Sequence, residues 1–412
     1  MRTHPDACPG AVELHPAADG GLARIRVPGG TLSAAQWDVV RVAALELGSG
    51  SVELTSRANL QIRGLADGVE LGARLRAAGL LPSDSHERIR NIIAAPLEDN
   101  QALVDALDLA LCADPALASL PGRFLVTVGA AVSGLGGDFG LVSAPVGGLG
   151  PVDDTLSSHN AAPTETVLLL AGQDTGIRVT DPVDAVIVAA RLFQQLRGTA
   201  WRLSEVDDAV RKITEHFGAS NAPRITPAVT PVTPSPVTPG VPLGRLDAHR
   251  LPGIPVRLTP WRSLVVPPGT DTTGLITDPA SPWHGVSACT GRPGCANSLS
   301  DVRADARAWV DAPHHTHAPG RVPPISILAT RPDTPGLTTS PDTPGLTTSP
   351  DAPGLTTRPD APGLARPDTP GQVHWSGCAR RCGRPAGDVI EFVATGDGYR
   401  RITGSAGDEE IG

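Results

Sequence analysis

The 412-residue sequence predicts a mixed α+β fold, and three observations carry that prediction. Residues 22–80 run through strand-like and helix-like periodicity in the order β-α-β-β-α. A stretch from the middle of that unit returns later in the chain, and residues 98–220 combine buried-strand runs with amphipathic-helix patterns. The composition agrees: 40% of residues are hydrophobic but only 3% are aromatic, so Val, Leu, Ile and Ala must build the core.

Leu22 to Val27 alternates as a strand does. Ser33 followed by Gln36 reads as a capping box opening a helix whose apolar stripe is Val40, Ala43, Ala44 and Leu47, closed by Gly48. Two β-like runs follow, Ser51–Thr55 and Asn59–Arg63, and Asp67 with Glu70 opens a second helix that ends before Gly79. That order is the order of a ferredoxin-like half-domain. The segment Val52-Glu53-Leu54-Thr55-Ser56-Arg57 is echoed by Val256-Arg257-Leu258-Thr259-Pro260-Trp261-Arg262, which predicts a second half-domain paired with the first around a shared cleft. Between them, Phe124–Ala131 and Thr166–Ala171 are buried-strand candidates, and Asp181-Pro182 has the cap and first-turn order of a helix start.

The 46 Gly and 42 Pro are unevenly placed. Residues 221–245, with their Thr-Pro spacing, predict a stiff extended linker. Residues 332–371 carry a nine-residue repeat, Pro-Asp-Thr/Ala-Pro-Gly-Leu-Thr-Thr-Ser/Arg, with one Leu per repeat. One Leu per repeat builds no core, so the segment is expected to be a disordered insertion without a catalytic part. The domain order is thus 1–80, first half-domain; 81–220, α/β domain; 221–245, linker; 246–285, second half-domain; and 286–412, a cysteine-bearing domain interrupted by 332–371.

Net charge is −9 and Lys212 is the only lysine, so the many arginines form no basic block, which argues against a nucleic-acid partner. Met1–Gly10 lacks an apolar signal core, and no run of about 18 apolar residues exists, so no membrane partner and a cytoplasmic location are expected. Six cysteines in so long a chain do not make a disulfide scaffold. Four of them form two close pairs, Cys289-x5-Cys295 and Cys378-x3-Cys382. Two thiolate pairs suit tetrahedral sulfur ligation, either structural zinc or an iron–sulfur cluster, and the five-residue gap counts against a zinc knuckle. Cys112 directly follows the apolar run Leu103–Leu111 and reads as a small buried hydrophobe; Cys8, in a Pro-Gly turn, is given no role.

The paired spacing resembles the 4Fe-4S signature of the sulfite and nitrite reductase superfamily. Leu54-Thr55-Ser56-Arg57-Ala58-Asn59-Leu60-Gln61 resembles its tetrapyrrole-side segment, and Arg90-Asn91-Ile92 resembles its following Arg-Asn motif. Within the superfamily, the precorrin-3B synthase family is the nearest resemblance. Asp6-Ala7-Cys8-Pro9-Gly10, Gly291-Arg292-Pro293-Gly294-Cys295 and Trp375-Ser376-Gly377-Cys378 through Pro385 carry it.

The resemblance implies two ferredoxin-like half-domains with α/β cluster and tetrapyrrole domains, and a 4Fe-4S cluster held by Cys289, Cys295, Cys378 and Cys382. It also implies the reaction: precorrin-3A hydroxylated at C20 with O2 and closed to the ring A acetate lactone, on the aerobic route to cobalamin. The family's cofactors are the cluster and a mononuclear non-haem iron, with reducing equivalents formally from NADH. For that iron, Asp311, His314, His315 and His317 form the densest group of N/O ligands, against the simpler reading of a solvated His tract, with His374 as a rival.

A substrate with many carboxylates calls for planar, permanently charged forks. The expected substrate-binding residues are therefore Arg57, Asn59, Gln61, Arg63, Arg90, Asn91, Arg123 and Arg262, in or beside the matched segments. Siroheme reductases use basic residues after a Leu-Pro pair to bind small anions. Here Leu120-Pro121-Gly122-Arg123-Phe124-Leu125 keeps one cation and has Leu125 where a second is expected, which argues against six-electron sulfite reduction. Gly134–Gly140 lacks the G-x-G-x-x-G spacing, so electrons are expected from a separate NADH-linked reductase or ferredoxin. The alternatives are a siroheme-dependent sulfite or nitrite reductase and a non-enzymatic iron–sulfur electron-transfer protein.

Overall fold

The computed structural model describes residues 8–145, 164–312, 372–385 and 388–404. The repeat segment 332–371 and the histidines His314, His315 and His317 lie outside the described residues, as does most of a unit spanning Asp311–Pro370.

The chain begins with the hairpin β1 (His15–Ala17) and β2 (Gly20–Ile25), then β3 (Thr31–Leu32) and helix α1 (Ala34–Glu46). The expected capping box is formed. Ser33 Oγ accepts from the Gln36 amide at 3.2 Å, and Gln36 Oε1 accepts from the Ser33 amide at 3.1 Å. Next come β4 (Ser51–Leu54), β5 (Leu60–Leu65) and α2 (Val69–Ala77), whose first turn is opened by Asp67 Oδ1 accepting from the Val69 amide at 2.9 Å. The strands order β1-β2-β5-β4, with β5 inserted antiparallel between β2 and β4, which is the split β-α-β arrangement of a ferredoxin-like half-domain.

Alternation along these strands gives the sheet two unlike faces. Ala23, Ile25, Val52, Leu54, Leu60 and Ile62 enter a core shared with Trp37, Val40, Ala43 and Ala44 of α1 and Leu71 and Leu75 of α2. Arg24, Glu53, Gln61 and Arg63 occupy the alternate positions, with Arg24 directly opposite Gln61 in the register. One face is thus sealed by helices and the other is polar, which is the face that builds the site.

The second sheet is formed by β6 (Ile92–Ala94), β7 (Val126–Val128), β8 (Phe139–Pro145), β9 (Thr164–Leu170) and β10 (Gln173–Val179), in the order β10-β9-β8-β7-β6. Strands β6, β7 and β8 are parallel and the remaining pairs antiparallel. Helices α3 (Gln101–Ala113), α4 (Pro182–Leu196) and α5 (Ala209–Phe217) add to its core, which includes Phe124, Phe139 and Phe193. Asp181 caps α4 as its sequence position predicts, its Oδ1 accepting from the amides of Val183 and Asp184, both at 3.0 Å.

Beyond the Pro-rich stretch, β11 (Arg245–Asp247) pairs with β4, while β12 (Val256–Leu258) pairs with both β13 (Leu264–Val265) and β3. Residues 246–285 hold these strands and no helix, and Leu246, Leu251, Val256, Leu258 and Leu264 join the core of the first unit. The echo nonetheless has a physical counterpart in the hairpin loops. The Thr55 amide donates to Asn59 O at 2.9 Å and the Thr259 amide to Ser263 O at 3.0 Å. Each Thr Oγ1 accepts from the two following turn amides, of Arg57 and Asn59 or of Trp261 and Ser263. Ala58 and Arg262 take the same left-handed backbone, with φ of 52° and 55°.

The last sheet is β14 (Val286–Ala288), β15 (Gln372–Ser376), β16 (Val389–Ala394) and β17 (Tyr399–Gly404), in that order, with α6 (Val302–Asp311) between β14 and β15 in sequence. The first three strands are parallel. Its interior is aromatic where the other cores are mostly aliphatic. The Trp375 ring lies 4.5 Å from Phe392 and 4.9 Å from Tyr399, and Trp309 lies 6.0 Å from both Trp375 and Phe392. Among the described residues, no helix is long and apolar enough to cross a membrane.

Candidate functional site: a cysteine quartet beside an arginine cradle

The two cysteine pairs begin at the carboxyl ends of neighbouring parallel strands, Cys289 directly after β14 and Cys378 two residues after β15. That edge is where open α/β sheets place their ligands, because the loops there diverge and leave a crevice. The loops are tied together: the Cys289 amide donates to Trp375 O at 2.9 Å, and the Gly377 amide approaches Cys289 Sγ at 3.1 Å.

The four sulfurs feel one another. Burial pushes the Cys289 thiol up and the charges of Cys295 and Cys378 add to it, while the amides of Gly377 and Gly291 act in the opposite direction. The Cys382 thiol is pushed up by burial and then by the charges of Cys289, Cys378 and Cys295. A Cys289 thiol that resists losing its proton, yet is offered two backbone donors, fits a positively charged centre that would displace that proton. Among the described residues no three His, Cys, Asp or Glu side chains close on a single metal ion.

The loop carrying Cys378 and Cys382 is braced from below. Glu391, fully buried on β16, accepts from both Arg381 and Arg384. His374, directly opposite Glu391 in the register, meets Ser287 Oγ through Nδ1 at 2.9 Å and Cys382 O through Nε2 at 3.2 Å. Only the Nε2–H tautomer can donate to that carbonyl. Burial, then the Arg262 charge, holds the His374 imidazole down at about 4, so it stays neutral. With both ring nitrogens engaged and its place inside the sheet, His374 serves as a strut.

On the polar face of the first sheet, Arg24, Arg26 and Arg57 converge with Arg202 and Cys8. Arg26 is 3% exposed; its Nε donates to Arg88 O at 3.2 Å, while among the described residues its Nη1 and Nη2 have no hydrogen-bond partner. Burial and then the Arg24 charge lower its guanidinium to about 9, with Arg57 lowering it further and Cys8 and Glu87 opposing. Arg57 is lowered to about 10 by burial, then by Arg202 and Arg24, with Cys8 and Asp138 opposing. Buried guanidinium groups that repel one another are unfavourable in isolation, and an anionic group at this face would relieve the repulsion. Arg202 is held by Asp138, its Nε donating to Oδ1 at 2.9 Å.

Sequence reasoning named Arg57 here and missed Arg24, Arg26 and Arg202. The signal for the first two was present as an Arg-x-Arg alternation across the end of β2, which places both on one face. Gln61 joins this face opposite Arg24. The other expected substrate residues are used differently. Arg90, 4% exposed, donates to both Asp108 oxygens at 2.7 and 2.6 Å and to Leu80 O at 3.0 Å, so its fork is already occupied. Asn59 and Asn91 form a buried amide pair at 3.0 Å; Asn59 Oδ1 accepts from the Val27 amide, and Asn91 Nδ2 donates to Arg88 O and Gly122 O. These two asparagines fasten the first sheet to the second. Arg123 is exposed and stacks over Trp201 at 4.6 Å. Arg63 and Arg262 turn to the cysteine loops: Arg63 Nη2 donates to Gly294 O at 2.7 Å and Arg262 Nη2 to Gly383 O at 3.1 Å.

Comparison with known proteins meets the same class of fold. Residues 15–69 match the nitrite/sulfite reductase ferredoxin-like half domain family. The solved structure of the Mycobacterium tuberculosis NirA protein is similar over 93% of this chain and 73% of that chain, with a TM-score of 0.61 at 17% identity. No curated protein sequence matches the chain. The chain thus has the mixed α+β fold of nitrite/sulfite reductase-type proteins.

Proposed function

We propose that this chain is an iron–sulfur oxidoreductase acting on a tetrapyrrole polycarboxylate, and specifically a precorrin-3B synthase that hydroxylates precorrin-3A at C20 with O2 and forms the ring A lactone. The observation that carries the reading is Arg26: a nearly inaccessible guanidinium with two unpartnered nitrogens, among Arg24 and Arg57, on the sheet face whose Arg63 reaches the cysteine quartet. Cys289, Cys295, Cys378 and Cys382 would hold the 4Fe-4S cluster, which when bound supplies electrons one at a time to the reaction with dioxygen. The chain's own part is to bind and orient. Arg24, Arg26 and Arg57 grip substrate carboxylates, Gln61 lies beside them, and Asn59 with Asn91 fixes the sheets on which they stand. The mononuclear iron of this reading has no assigned ligands: His374 is engaged at both nitrogens, and Asp311 lies at the end of α6. Electrons come from a separate NADH-linked reductase or ferredoxin.

A siroheme-dependent sulfite or nitrite reductase is the second reading, favoured by the likeness to NirA and by the matched half-domain. Leu125 supports the first. It is 3% exposed in a small apolar cluster with Ile93, Ala95 and Val132, where a small-anion reductase would need a cation. Anaerobically purified protein incubated with precorrin-3A, O2 and a reductant should yield a product heavier by one oxygen atom. A siroheme absorption band that shifts on adding sulfite, with precorrin-3A left unchanged, would establish the second reading instead.

A further inference from the structure

We propose that Arg63 and Arg262 are positioning residues for the cluster: each clamps one cysteine loop by a backbone carbonyl and sets a permanent positive charge beside the four sulfurs. The proposal rests on the cluster part of the reading above and assigns to these two arginines a role other than substrate binding.

The contacts are built contacts. Arg63 projects from β5 and is held by a fork on Asp19, Nε to Oδ2 and Nη2 to Oδ1, both at 2.9 Å. The same Nη2 donates to Gly294 O, the carbonyl just before Cys295. Asp19 comes so near that a Cβ on Gly294 would stand 2.7 Å from its Oδ2, so Gly294 is the residue that admits the pair. Arg262 leaves the turn between β12 and β13 and passes over Gly244, where a Cβ would stand 2.5 Å from its Cδ. It ends on Gly383 O, the carbonyl just after Cys382. Two arginines from two hairpins thus reach the two cysteine pairs in the same way, each at a peptide adjoining a ligand.

Charge points the same way. Burial works to lower the Arg63 guanidinium, yet Asp19, Glu53 and Cys295 together leave it raised, so the Cys295 sulfur lies within its field. Thiolate-bound clusters carry net negative charge that grows on reduction, and nearby charge and hydrogen bonding set their potential. A fixed cation favours the reduced state. Asp19 opposes Arg63 in this respect, so the two members of one ion pair should move the potential in opposite directions. A merely structural role for the pair would not do that.

The test uses the full chain, reconstituted anaerobically with iron and sulfide, in wild type and in Arg63→Gln, Asp19→Asn, Arg262→Gln and Arg262→Lys. Iron and sulfide per chain, the EPR signal of the reduced cluster and its midpoint potential are measured. Arg63→Gln and Arg262→Gln should each make the reduced form about tenfold less favoured, a fall of about 59 mV for one electron. Both should also lose iron at least twofold faster in air. Asp19→Asn should raise the potential, and Arg262→Lys should recover it while still losing iron faster, because a point charge replaces the fork. If Arg63→Gln fails to fold, Asp19→Asn and the two Arg262 variants decide. Full cluster content with unchanged potentials and iron loss across the variants would overturn the clamp alone. A wild type that takes up no iron and sulfide would overturn the cluster reading, and the clamp with it.

Discussion

Replacing Arg26 with methionine should make the protein more stable and its cradle nearly useless. Burial, Arg24 and Arg57 lower this guanidinium by several units from its ordinary value to about 9. At about 1.4 kcal/mol per unit, the charged form costs the fold on the order of 5 kcal/mol. The sign follows from the direction. A depressed arginine is penalised at every pH below about 9 and relieved only above it, so the cost is constant across the neutral range. Methionine removes the charge and keeps an unbranched stem, while forfeiting the Nε bond to Arg88 O, worth about 1 kcal/mol. Local relaxation takes a further share, leaving an expected gain of about 2 kcal/mol by urea unfolding at pH 7. Binding of a fluorescent tetrapyrrole polycarboxylate such as uroporphyrin should weaken at least tenfold, since a charge-assisted hydrogen bond contributes about 1.5–3 kcal/mol. A less stable variant that binds the porphyrin as wild type does would refute the reasoning, because Arg26 would then be an ordinary structural residue.

Other expectations follow from the same geometry. His374 is held at about 4 in the fold against 6.5 in the unfolded chain, so its neutral form adds stability above pH 6.5 that is lost as pH falls toward 4. The loss should approach about 3 kcal/mol in urea titrations, and His374→Gln should flatten the profile. Gly377→Ala would set a Cβ 1.9 Å from Ser298 Oγ, at the peptide that donates to Cys289 Sγ. It should cost about 1–3 kcal/mol and lower the iron content measured after reconstitution. Deleting residues 332–371 should leave iron content and turnover within about twofold of wild type; a folded but inactive deletion would contradict the expectation that the repeats carry no catalytic part.

How much of this could be read from the sequence depended on whether the chemistry was local. The capping box at Ser33 and the Asp181 cap are decided by residues three apart, and both appear as expected. The cysteine pairs were visible because each pair lies within one loop; their convergence required the parallel pairing of β14 with β15, which no local pattern encodes. Arg90, Asn59 and Asn91 stood out as motif residues, but a motif does not say whether a donor faces a ligand or a neighbour such as Asp108. Arg24 and Arg26 were obscured by abundance. In a chain whose cations are nearly all arginine, an alternating pair says little until the fold shows Arg26 buried with Arg24 and Arg57 beside it. Residues 246–285 form short strands whose apolar side chains complete the core of the first unit, a long-range packing that no local pattern encodes.

The polarity of the last sheet has a consequence for how this chain can change its length. In a parallel β-α-β crossover the helix carries the chain from the carboxyl end of one strand back to the amino end of the next. Cys289 and Cys378 stand at the carboxyl ends of β14 and β15, whereas the chain departs after α6 and resumes at Gln372, the amino end of β15. A tandem tract in the sequence between α6 and β15 can lengthen or shorten by whole copies while the spacing within each cysteine pair stays fixed.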